Sequence, residues 1–254
     1  APVLPTPAAA GRMIEILSRN GRENVVGMDI GGATTDIFSV FNGDFQRSVS
    51  ANLGMSYSAA NVLLTAGPEN VRRWLPFECD LGQLADEVAT KMIFPTTLPH
   101  DSQDLAIEHA IAREALRLAY EQHKQVAGGP PRGVDVLKRL TMSAEQVMKV
   151  ELGLEEKPWH KIDLLVGSGG VISHAPKRSQ AALVMLDAFA PQGLVELVVD
   201  SVFMLPHLGV LSTVEPTIAL EVLEKDCLVR LGTAVCLTGT GTHRSKALSV
   251  TGKT

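Results

Sequence analysis

Short apolar runs separated by turn residues predict a β-meander near the start of the chain. Val25–Ile30 and Ile37–Phe41 are rich in β-branched and aromatic residues and flank a Gly-Gly turn, which is typical of two strands. Asn42-Gly43 then gives the strongest short signal for a type I′ hairpin. Phe45–Ser50 follows as a third strand, so we expect the sheet to begin with three antiparallel strands.

Helical spacing of apolar residues takes over after this meander. The pattern is clearest over Ser102–Gln125, where Leu, Ile and Ala recur at helical spacing among Glu, Arg and Lys. We expect His109 and His123 in this helix to be solvated or near its ends, and a metal role for them is not favoured. The Pro- and Ala-rich segment Ala1–Ala10 is expected to be a linker. Shorter helices are predicted over Arg12–Arg19, up to Thr65, from Pro68 and over Leu81–Ile93.

The second half of the chain predicts strands that alternate with helices. Ile162–Val166 is a strand of the buried type. The other predicted elements are helices near Ala144–Val150 and over Ser179–Phe189, Ser201–Gly209 and Pro216–Glu224, and strands over Leu194–Val199 and Leu228–Cys236. Alternation of this kind is typical of an α/β domain.

Breaks in composition divide the chain into parts. The run Ala127–Gly133, with its Gly-Gly-Pro-Pro sequence, is the clearest of them. We expect an α/β subdomain formed by residues 1–56 and 134–240, with residues 57–133 inserted as a mostly helical subdomain. Residues 241–254 are rich in Gly, Thr, Ser and basic residues and are expected to form a flexible tail.

Composition narrows the possible functions. A length of 254 residues with 45% hydrophobic and 20% charged residues is ordinary for a globular protein. The net charge of -5 and the aromatic content of 4% argue against nucleic-acid binding. No apolar run is long enough to span a membrane. Cys79, Cys227 and Cys236 are widely spaced, which fits a reducing, cytoplasmic compartment better than disulfides or a zinc site.

The run from Asp29 to Asp36 has the chemistry of a ligand-binding turn. Between the two carboxylates lie Gly31-Gly32 and the pair Thr34-Thr35. Adjacent glycines leave no Cβ to keep a ligand away, and successive N–H groups in such a turn suit a phosphate. Carboxylates beside a phosphate call for a divalent cation between them, and Mg²⁺ prefers such oxygen ligands. From these residues alone, a plain β-hairpin is an equal interpretation.

A second Gly-rich run follows the predicted strand Ile162–Val166. Gly167-Ser168-Gly169-Gly170 lies between a strand and a helix, where a nucleotide can approach the backbone closely. The spacing is Gly-x-Gly-Gly rather than Gly-x-Gly-x-x-Gly, and no acidic residue follows about twenty positions later within a βαβ unit. A dinucleotide-binding fold is therefore disfavoured.

Together the two runs resemble motifs of a known ATPase superfamily. Asp29–Asp36 is similar to the second phosphate-binding turn of the actin, Hsp70 and sugar-kinase ATPases, and Leu164–Val171 is similar to their adenosine motif. More narrowly, the chain resembles the MutL family of glutamate mutase accessory proteins, which share only a name with mismatch-repair MutL. The segments that carry this closer resemblance are Gly27–Asp36, Asn52–Ser58, Val166–Pro176 and Leu205–Gly209.

The resemblance implies a fold, a function and partners. The fold is an α/β domain of ribonuclease-H-like, actin-like ATPase type with an inserted mostly helical subdomain. The function is adenine-nucleotide binding in an ATP-dependent chaperone that reactivates an adenosylcobalamin-dependent glutamate (methylaspartate) mutase. The implied ligands are ATP or ADP and Mg²⁺, and the implied partners are mutase subunits. No first phosphate turn of Asp-x-Gly-x-Thr type precedes Asp29, so a missing N-terminal half is a further expected partner, and ATP hydrolysis by this chain alone is not expected.

The resemblance also implies roles for two carboxylates. Asp29 is the expected catalytic residue, because it would position the attacking water or a water bound to Mg²⁺. Asp36 is the second expected Mg²⁺ residue, acting through water, although a cap of its own turn is an equal interpretation. No site role is predicted for Asp200 and His174, because a cap and a loop residue explain them equally well.

The remaining implied contacts come from the two Gly-rich turns. In the first turn the backbone would hold the β- and γ-phosphates, with threonine hydroxyls assisting. The residues concerned are Gly31, Gly32, Ala33, Thr34 and Thr35. In the second turn the residues that would pack on adenosine are Gly167, Ser168, Gly169 and Gly170.

Two other functions stay open at this point. Hydantoinase and oxoprolinase enzymes carry a similar Asp-x-Gly-Gly-Thr-Thr-Asp turn, which gives an ATP-using hydrolase as one alternative. The other is a non-catalytic module that docks a mutase subunit, for which the helices of Leu81–Gln125 are the expected surface.

Overall fold

A six-stranded sheet organises the residues that the computed structural model describes, which are 3–128 and 157–237. The strands are β1 (Asn24–Ile30), β2 (Thr35–Phe41), β3 (Asp44–Ser50), β4 (Leu164–Ser168), β5 (Gly193–Asp200) and β6 (Leu228–Cys236). The helices are α1 (Thr6–Ser18), α2 (Ala59–Ala66), α3 (Pro68–Arg72), α4 (Leu81–Ile93), α5 (Ser102–Ala127), α6 (Gly170–Ser173), α7 (Arg178–Phe189), α8 (Leu205–Leu211) and α9 (Pro216–Val222). A π-helical turn, Leu223–Cys227, joins α9 to β6. The predicted helix near 144–150 and the predicted tail 241–254 lie outside the described residues.

The strand order is β3-β2-β1-β4-β5-β6. The first three strands form the predicted antiparallel meander, with Asn42 and Gly43 both at positive φ as a type I′ turn requires. β4 pairs in parallel with β1, and β5 pairs in parallel with β4. β6 closes this side of the sheet antiparallel to β5. The carboxyl ends of β1, β4 and β5 therefore meet at one edge of the sheet.

The sheet lies between two layers of helices, so the fold is a mixed α/β one. Helices α1, α8 and α9 pack on one face through a core that includes Ile14, Phe38 and Val166. Helices α2, α5 and α7 pack on the other face, where Met28 and Leu165 belong to a larger core. This division follows from the alternation of side chains along each strand.

The first helix begins earlier than the sequence predicted. Thr6–Ala10 is helical rather than a linker, because Pro5 and Pro7 occupy positions where a missing N–H is tolerated and alanine favours a helix. Packing also fixes this segment. A Cβ on Gly209 would lie 1.9 Å from the carbonyl oxygen of Ala9, so α8 lies directly against the backbone of α1.

Both histidines of α5 are buried, which corrects the expectation of solvated side chains. The His123 ring is hydrogen-bonded on both sides, with Nε2 2.8 Å from Ser39 Oγ and Nδ1 2.8 Å from Ser48 Oγ. Nearby, the Tyr120 hydroxyl donates to the carbonyl oxygen of Trp159. These bonds fix the C-terminal half of α5 to strands β2 and β3 and to the segment before β4.

The described residues between β3 and β4 form helices α2 to α5. Buried Glu114 links α5 to the segment after α3, because its carboxylate accepts hydrogen bonds from Arg73 and Trp74 as well as from Arg117 of α5. The limits of an inserted subdomain at 57 and 133 stay predictions. Of the helices in residues 3–128 and 157–237, none is long and apolar enough to cross a membrane.

Candidate functional site

The turn between β1 and β2 is shaped by hydrogen bonds to its carbonyl oxygens. Gly31 N–H donates to Thr34 O at 2.9 Å and closes the turn. The carbonyl oxygen of Gly31 accepts from Met55 N–H, and that of Gly32 accepts from Ser56 N–H, both at 2.9 Å. Residues 53–58 therefore hold the carbonyl side of the turn.

The amide side of this turn is open. Within residues 3–128 and 157–237, no backbone carbonyl accepts from the N–H groups of Gly32, Ala33 or Thr34. Gly31 is exposed and these three residues are half-buried. Consecutive N–H groups without a partner form a concave anion site. The first predicted phosphate turn thus presents three successive N–H groups that no described backbone carbonyl occupies.

Gly54 supports the turn and was missed as a site residue. A Cβ at this position would lie 2.5 to 2.7 Å from backbone atoms of Gly32 and Ala33. Only glycine lets the following segment lie directly on the turn. Its presence in the run Asn52–Ser58 is a signal that the sequence offered, although nothing there reveals which backbone it contacts.

Thr35 plays a structural part. The Thr35 side chain is completely buried and its Oγ1 donates to Leu53 O at 2.8 Å. This hydroxyl is therefore committed within the protein and does not assist a phosphate in the way the sequence suggested. Thr34, by contrast, is partly exposed.

Three aspartates lie close together near the carboxyl edge of the sheet. Asp29 pairs with Asp36 across β1 and β2, and with Ser168 across β1 and β4. Paired residues point to the same face, here the face covered by α1. Burial, then Asp36, then Asp200 raise the pKa of Asp29 to about 6, while a hydrogen bond from Ser168 opposes the shift. Asp29 can therefore gain or lose a proton near neutral pH.

The Asp36 carboxylate is only partly satisfied. Its Oδ1 is buried and has no hydrogen-bond partner among the described residues. Arg47 Nε lies 3.5 Å from that oxygen, which is an ion-pair contact without hydrogen-bond geometry. Burial raises the pKa of Asp36, and the charge of Arg47 acts in the opposite direction. Asp36 does not cap its turn, which removes the structural interpretation given above for this residue.

Asp200 is a cap. Its carboxylate accepts from the backbone N–H groups of Val202, Met204 and Leu205 at 2.8 to 3.3 Å. The predicted helix over Ser201–Gly209 therefore begins only at Leu205, after a loop wrapped around this side chain.

The three glycines of the second Gly-rich turn have different surroundings. Gly167 is in the core, where a Cβ would meet Ile172 and Met185. Gly169 has φ +103°, and a Cβ there would lie 2.2 Å from Ile30 O. A Cβ on Gly170 would meet nothing within 4 Å. Gly169 thus holds the turn against β1, while Gly170 faces open space.

A cleft of about 810 Å³ joins the two turns on the face covered by α5. Gly31, Gly32 and Gly170 line it on the sheet side. The connection between α4 and α5, with Leu98 and His100, lines it on the other side. A volume of this size is in the range of ligand sites.

The predicted site residues therefore do not share one surface. Gly31, Gly32 and Gly170 share the cleft, whereas Asp29 and its neighbours lie on the opposite face of the same sheet edge. The cleft also contains residues that the sequence did not indicate, namely Lys91, Glu108 and His109. Their signal was weak, since each occupies an ordinary helical position.

The donor set fits a nucleotide with its cation better than a metal held by protein alone. In the described parts of the chain, no group of three or more His, Cys, Asp or Glu side chains could hold a metal ion. Mg²⁺ commonly uses one or two carboxylates together with phosphate oxygens and water. Asp29 and Asp36 offer two such carboxylates at the same sheet edge as the open amides of the turn, although they lie on the face opposite the cleft, and Asp36 Oδ1 forms an ion pair with Arg47.

Comparisons with known proteins show which family this chain resembles. The MutL protein family matches residues 1–227. Protein MutL of Clostridium tetanomorphum is 24% identical over 251 aligned residues, covering 88% of this chain and 50% of that protein. The chain thus spans about half the length of this curated relative. A solved structure, (R)-2-hydroxyglutaryl-CoA dehydratase component A of Acidaminococcus fermentans, has 11% identity and a TM-score of 0.34, with coverage of 81% of this chain and 64% of that one. This structural similarity is too low to indicate a shared function.

Proposed function

Because the chain belongs to the MutL protein family, as its motifs predicted, we propose that it binds adenine nucleotide as one half of an ATP-dependent accessory protein. The protein it serves is an adenosylcobalamin-dependent glutamate mutase, whose damaged cofactor it helps to exchange. The family membership supports the mutase partner, and the site supports the nucleotide.

The cleft that joins both Gly-rich turns is the observation that carries this proposal. Gly31 and Gly32 line the cleft with their neighbouring amides open, and Gly170, on the adjacent turn, leaves space for a flat ligand. Apolar side chains of Ile30 and Val171 line the space between them. A triphosphate joined to an apolar base matches this distribution of groups.

The topology supports the finer fold assignment. A meander whose second strand is antiparallel, followed by strands parallel to the first, is the strand order expected of a ribonuclease-H-like domain. We assign residues 57–133 to the inserted helical subdomain of this fold, with residues 1–56 and 134–240 as the α/β part.

The proposed roles of the residues follow their environments. The amides of Gly32, Ala33 and Thr34 bind phosphate oxygens. Mg²⁺, when bound, would neutralise charge on phosphate oxygens that extend past the turn to the opposite face of the sheet edge, where Asp29 and Asp36 would hold it. Asp29 also accepts or releases a proton, because its pKa of about 6 is close to neutral pH.

Hydrolysis is proposed for a longer protein. The curated relative is about twice as long as the part that this chain matches, and a first phosphate turn would come from the additional length. The nucleoside end of the cleft is built from described residues of this chain. We therefore expect this chain to bind nucleotide and the longer protein to hydrolyse it.

Two glycine variants test the binding site by calorimetry with Mg-ATP and with inorganic tripolyphosphate. Gly31→Ala adds a methyl group at the phosphate turn, where its nearest neighbour is Thr34 O at 3.4 Å. Gly170→Val adds bulk in the open space of the cleft. We expect Gly31→Ala to lower the affinity for both ligands and Gly170→Val to lower the affinity for ATP alone, each about tenfold or more.

Thermal melting supplies the control, since neither side chain meets a close steric barrier in the described protein. Unchanged ATP affinity in both variants, with unchanged melting temperatures, would show that the cleft is not the nucleotide site. No binding of ATP by the unaltered chain at millimolar concentration would also refute the proposal.

A non-catalytic docking module is the second candidate. Ile93, Phe94 and Leu98 are exposed on and beside the connection between α4 and α5, which is where a protein surface could be contacted. If the chain binds a mutase subunit but no nucleotide, this function replaces the first.

A further inference from the structure

His109 is a buried histidine whose ring has an unused nitrogen. The residue is 6% exposed, and Nε2 has no hydrogen-bond partner within residues 3–128 and 157–237. Such a nitrogen is costly, because its hydrogen bond to water is lost on folding and nothing replaces it. His123, on the same helix, shows the usual outcome, with both nitrogens bonded.

The position of His109 is fixed from both sides along α5. One residue earlier, Glu108 accepts from Lys91 of α4 at 2.8 Å. One turn later, Arg113 donates to Asp187 of α7 at 2.7 Å and to the carbonyl oxygen of His109 at 3.2 Å. The helix turn that carries the ring is therefore held against α4 and α7.

The ring borders the cleft that holds the proposed nucleotide site. His109 lines it together with Gly170 and Val171, and α5 contacts the short helix α6 that begins at Gly170. The imidazole thus shares this part of the cleft with the second Gly-rich turn. In the proposed binding mode this part holds the nucleoside, and the phosphates lie at the turn of Gly31.

The imidazole is neutral in the physiological range. Burial and, to a smaller extent, the charge of Arg113 lower the pKa of His109 to about 4. A neutral imidazole has one nitrogen that donates and one that accepts, and the tautomer can adapt to the ligand. It suits the uncharged edge of a heteroaromatic base better than a phosphate.

We propose that His109 hydrogen-bonds the base of the nucleotide that binds in this cleft. The inference rests on the proposed function and adds the residue that recognises the base. One ring nitrogen must face the cleft when the base arrives. Rotation about χ2 achieves this without moving α5, since that torsion is broad in histidine.

The experiment compares His109→Phe and His109→Gln with the unaltered 254-residue chain. Phenylalanine keeps an aromatic ring without a hydrogen-bonding nitrogen, and glutamine restores polar atoms. His207→Phe is the matched control, because His207 is exposed on α8, outside the cleft. Calorimetry gives the affinity for Mg-ATP and, as a probe without a base, for inorganic tripolyphosphate.

We expect His109→Phe to weaken ATP binding about tenfold, the size of one hydrogen bond to a neutral group. Tripolyphosphate binding should stay within about twofold, and His109→Gln should recover most of the loss. His207→Phe should match the unaltered chain. Nitrogen NMR of the His109 ring adds an independent signature, because ATP should shift its resonances and tripolyphosphate should not.

The opposing outcomes separate the two proposals. If His109→Phe binds ATP as tightly as the unaltered chain, the role of His109 is refuted and the nucleotide site stands. Equal losses of affinity for ATP and tripolyphosphate would show that the substitution acts on the structure of the cleft, and would also refute the role of His109. If the unaltered chain binds neither ligand, the proposed function fails, and the inference fails with it.

Discussion

Replacing Asp29 by asparagine should stabilise the fold while removing function. Asp29 is ionised beside two other carboxylates in a partly buried position, and these are the reasons for its raised pKa. Asparagine has nearly the same shape and no charge. Its amide can keep a contact with Ser168, which lies opposite Asp29 on β4.

The size of the stabilisation by Asp29→Asn follows from the change in the pKa of Asp29 between the unfolded and folded states. The pKa of Asp29 rises from 3.8 to about 6, which corresponds to about 3 kcal/mol of destabilisation when the group is ionised. The stability that Asp29 contributes is complete below pH 3.8 and is lost as the pH rises through 6. At pH 8 the loss is complete, and at pH 5 it is about half as large.

Thermal melting by circular dichroism, without nucleotide or Mg²⁺, tests this prediction. Allowing for partial solvent screening, about 2 kcal/mol at pH 8 should raise the melting temperature of Asp29→Asn by about 4 to 8 °C. The gain should be clearly smaller at pH 5. Calorimetry at pH 8 should show that the same variant loses Mg²⁺-dependent ATP binding.

Asp200→Asn is the matched control because it alters a neighbouring carboxylate with a different role. The Asp200 side chain accepts three backbone N–H bonds, so weakening this cap should lower the melting temperature at both pH values. The reasoning about Asp29 would be wrong if Asp29→Asn lowered the melting temperature at pH 8. It would also be wrong if the gain were equal at pH 5 and pH 8.

Three further predictions concern the framework around the site. Burial and, to a smaller extent, the charge of Lys157 lower the pKa of His123 from 6.5 to about 4, so the stability that its neutral ring contributes is present above pH 6.5 and is lost as the pH falls towards 4. In urea titrations, His123→Gln should therefore flatten this part of the pH profile. Gly209→Ala should cost about 3 kcal/mol or more in urea unfolding, because the new methyl group overlaps the backbone of Ala9 and forces α1 away from α8. Glu114→Leu should cost about 3 kcal/mol in the same assay, because Arg73 and Arg117 lose the buried carboxylate that they share, and Glu114→Gln should cost less.

The features that could be predicted from sequence are those whose signals are local. The hairpin at Asn42-Gly43 follows from backbone preferences of two adjacent residues, and the meander is confirmed. The Gly31-Gly32 turn was visible for the same reason. Helix α5 was found from its periodicity, and its C-terminal end lies two residues beyond the predicted Gln125.

The features that were missed depend on contacts between distant parts of the chain. Burial of His123 depends on Ser39, which is 84 positions away, and nothing within the helix reveals that partner. The start of α1 depends on a helix about 200 residues later that lacks a Cβ at Gly209. Gly54 supports the turn across a strand and a loop. Such contacts exist only once the sheet has formed.

Helix α5 links the cleft to distant parts of the protein because of its length. Its 26 residues span about 39 Å as a single rod, and hydrogen bonds at Tyr120 and His123 attach only the C-terminal part to the sheet. His109 lies about 21 Å along the axis from His123. Closer to the cleft, Glu108 and Arg113 join the same helix to Lys91 of α4 and Asp187 of α7. An adjustment of α5 to a bound base would therefore move α4 with it, and with α4 the exposed apolar residues Phe94 and Leu98.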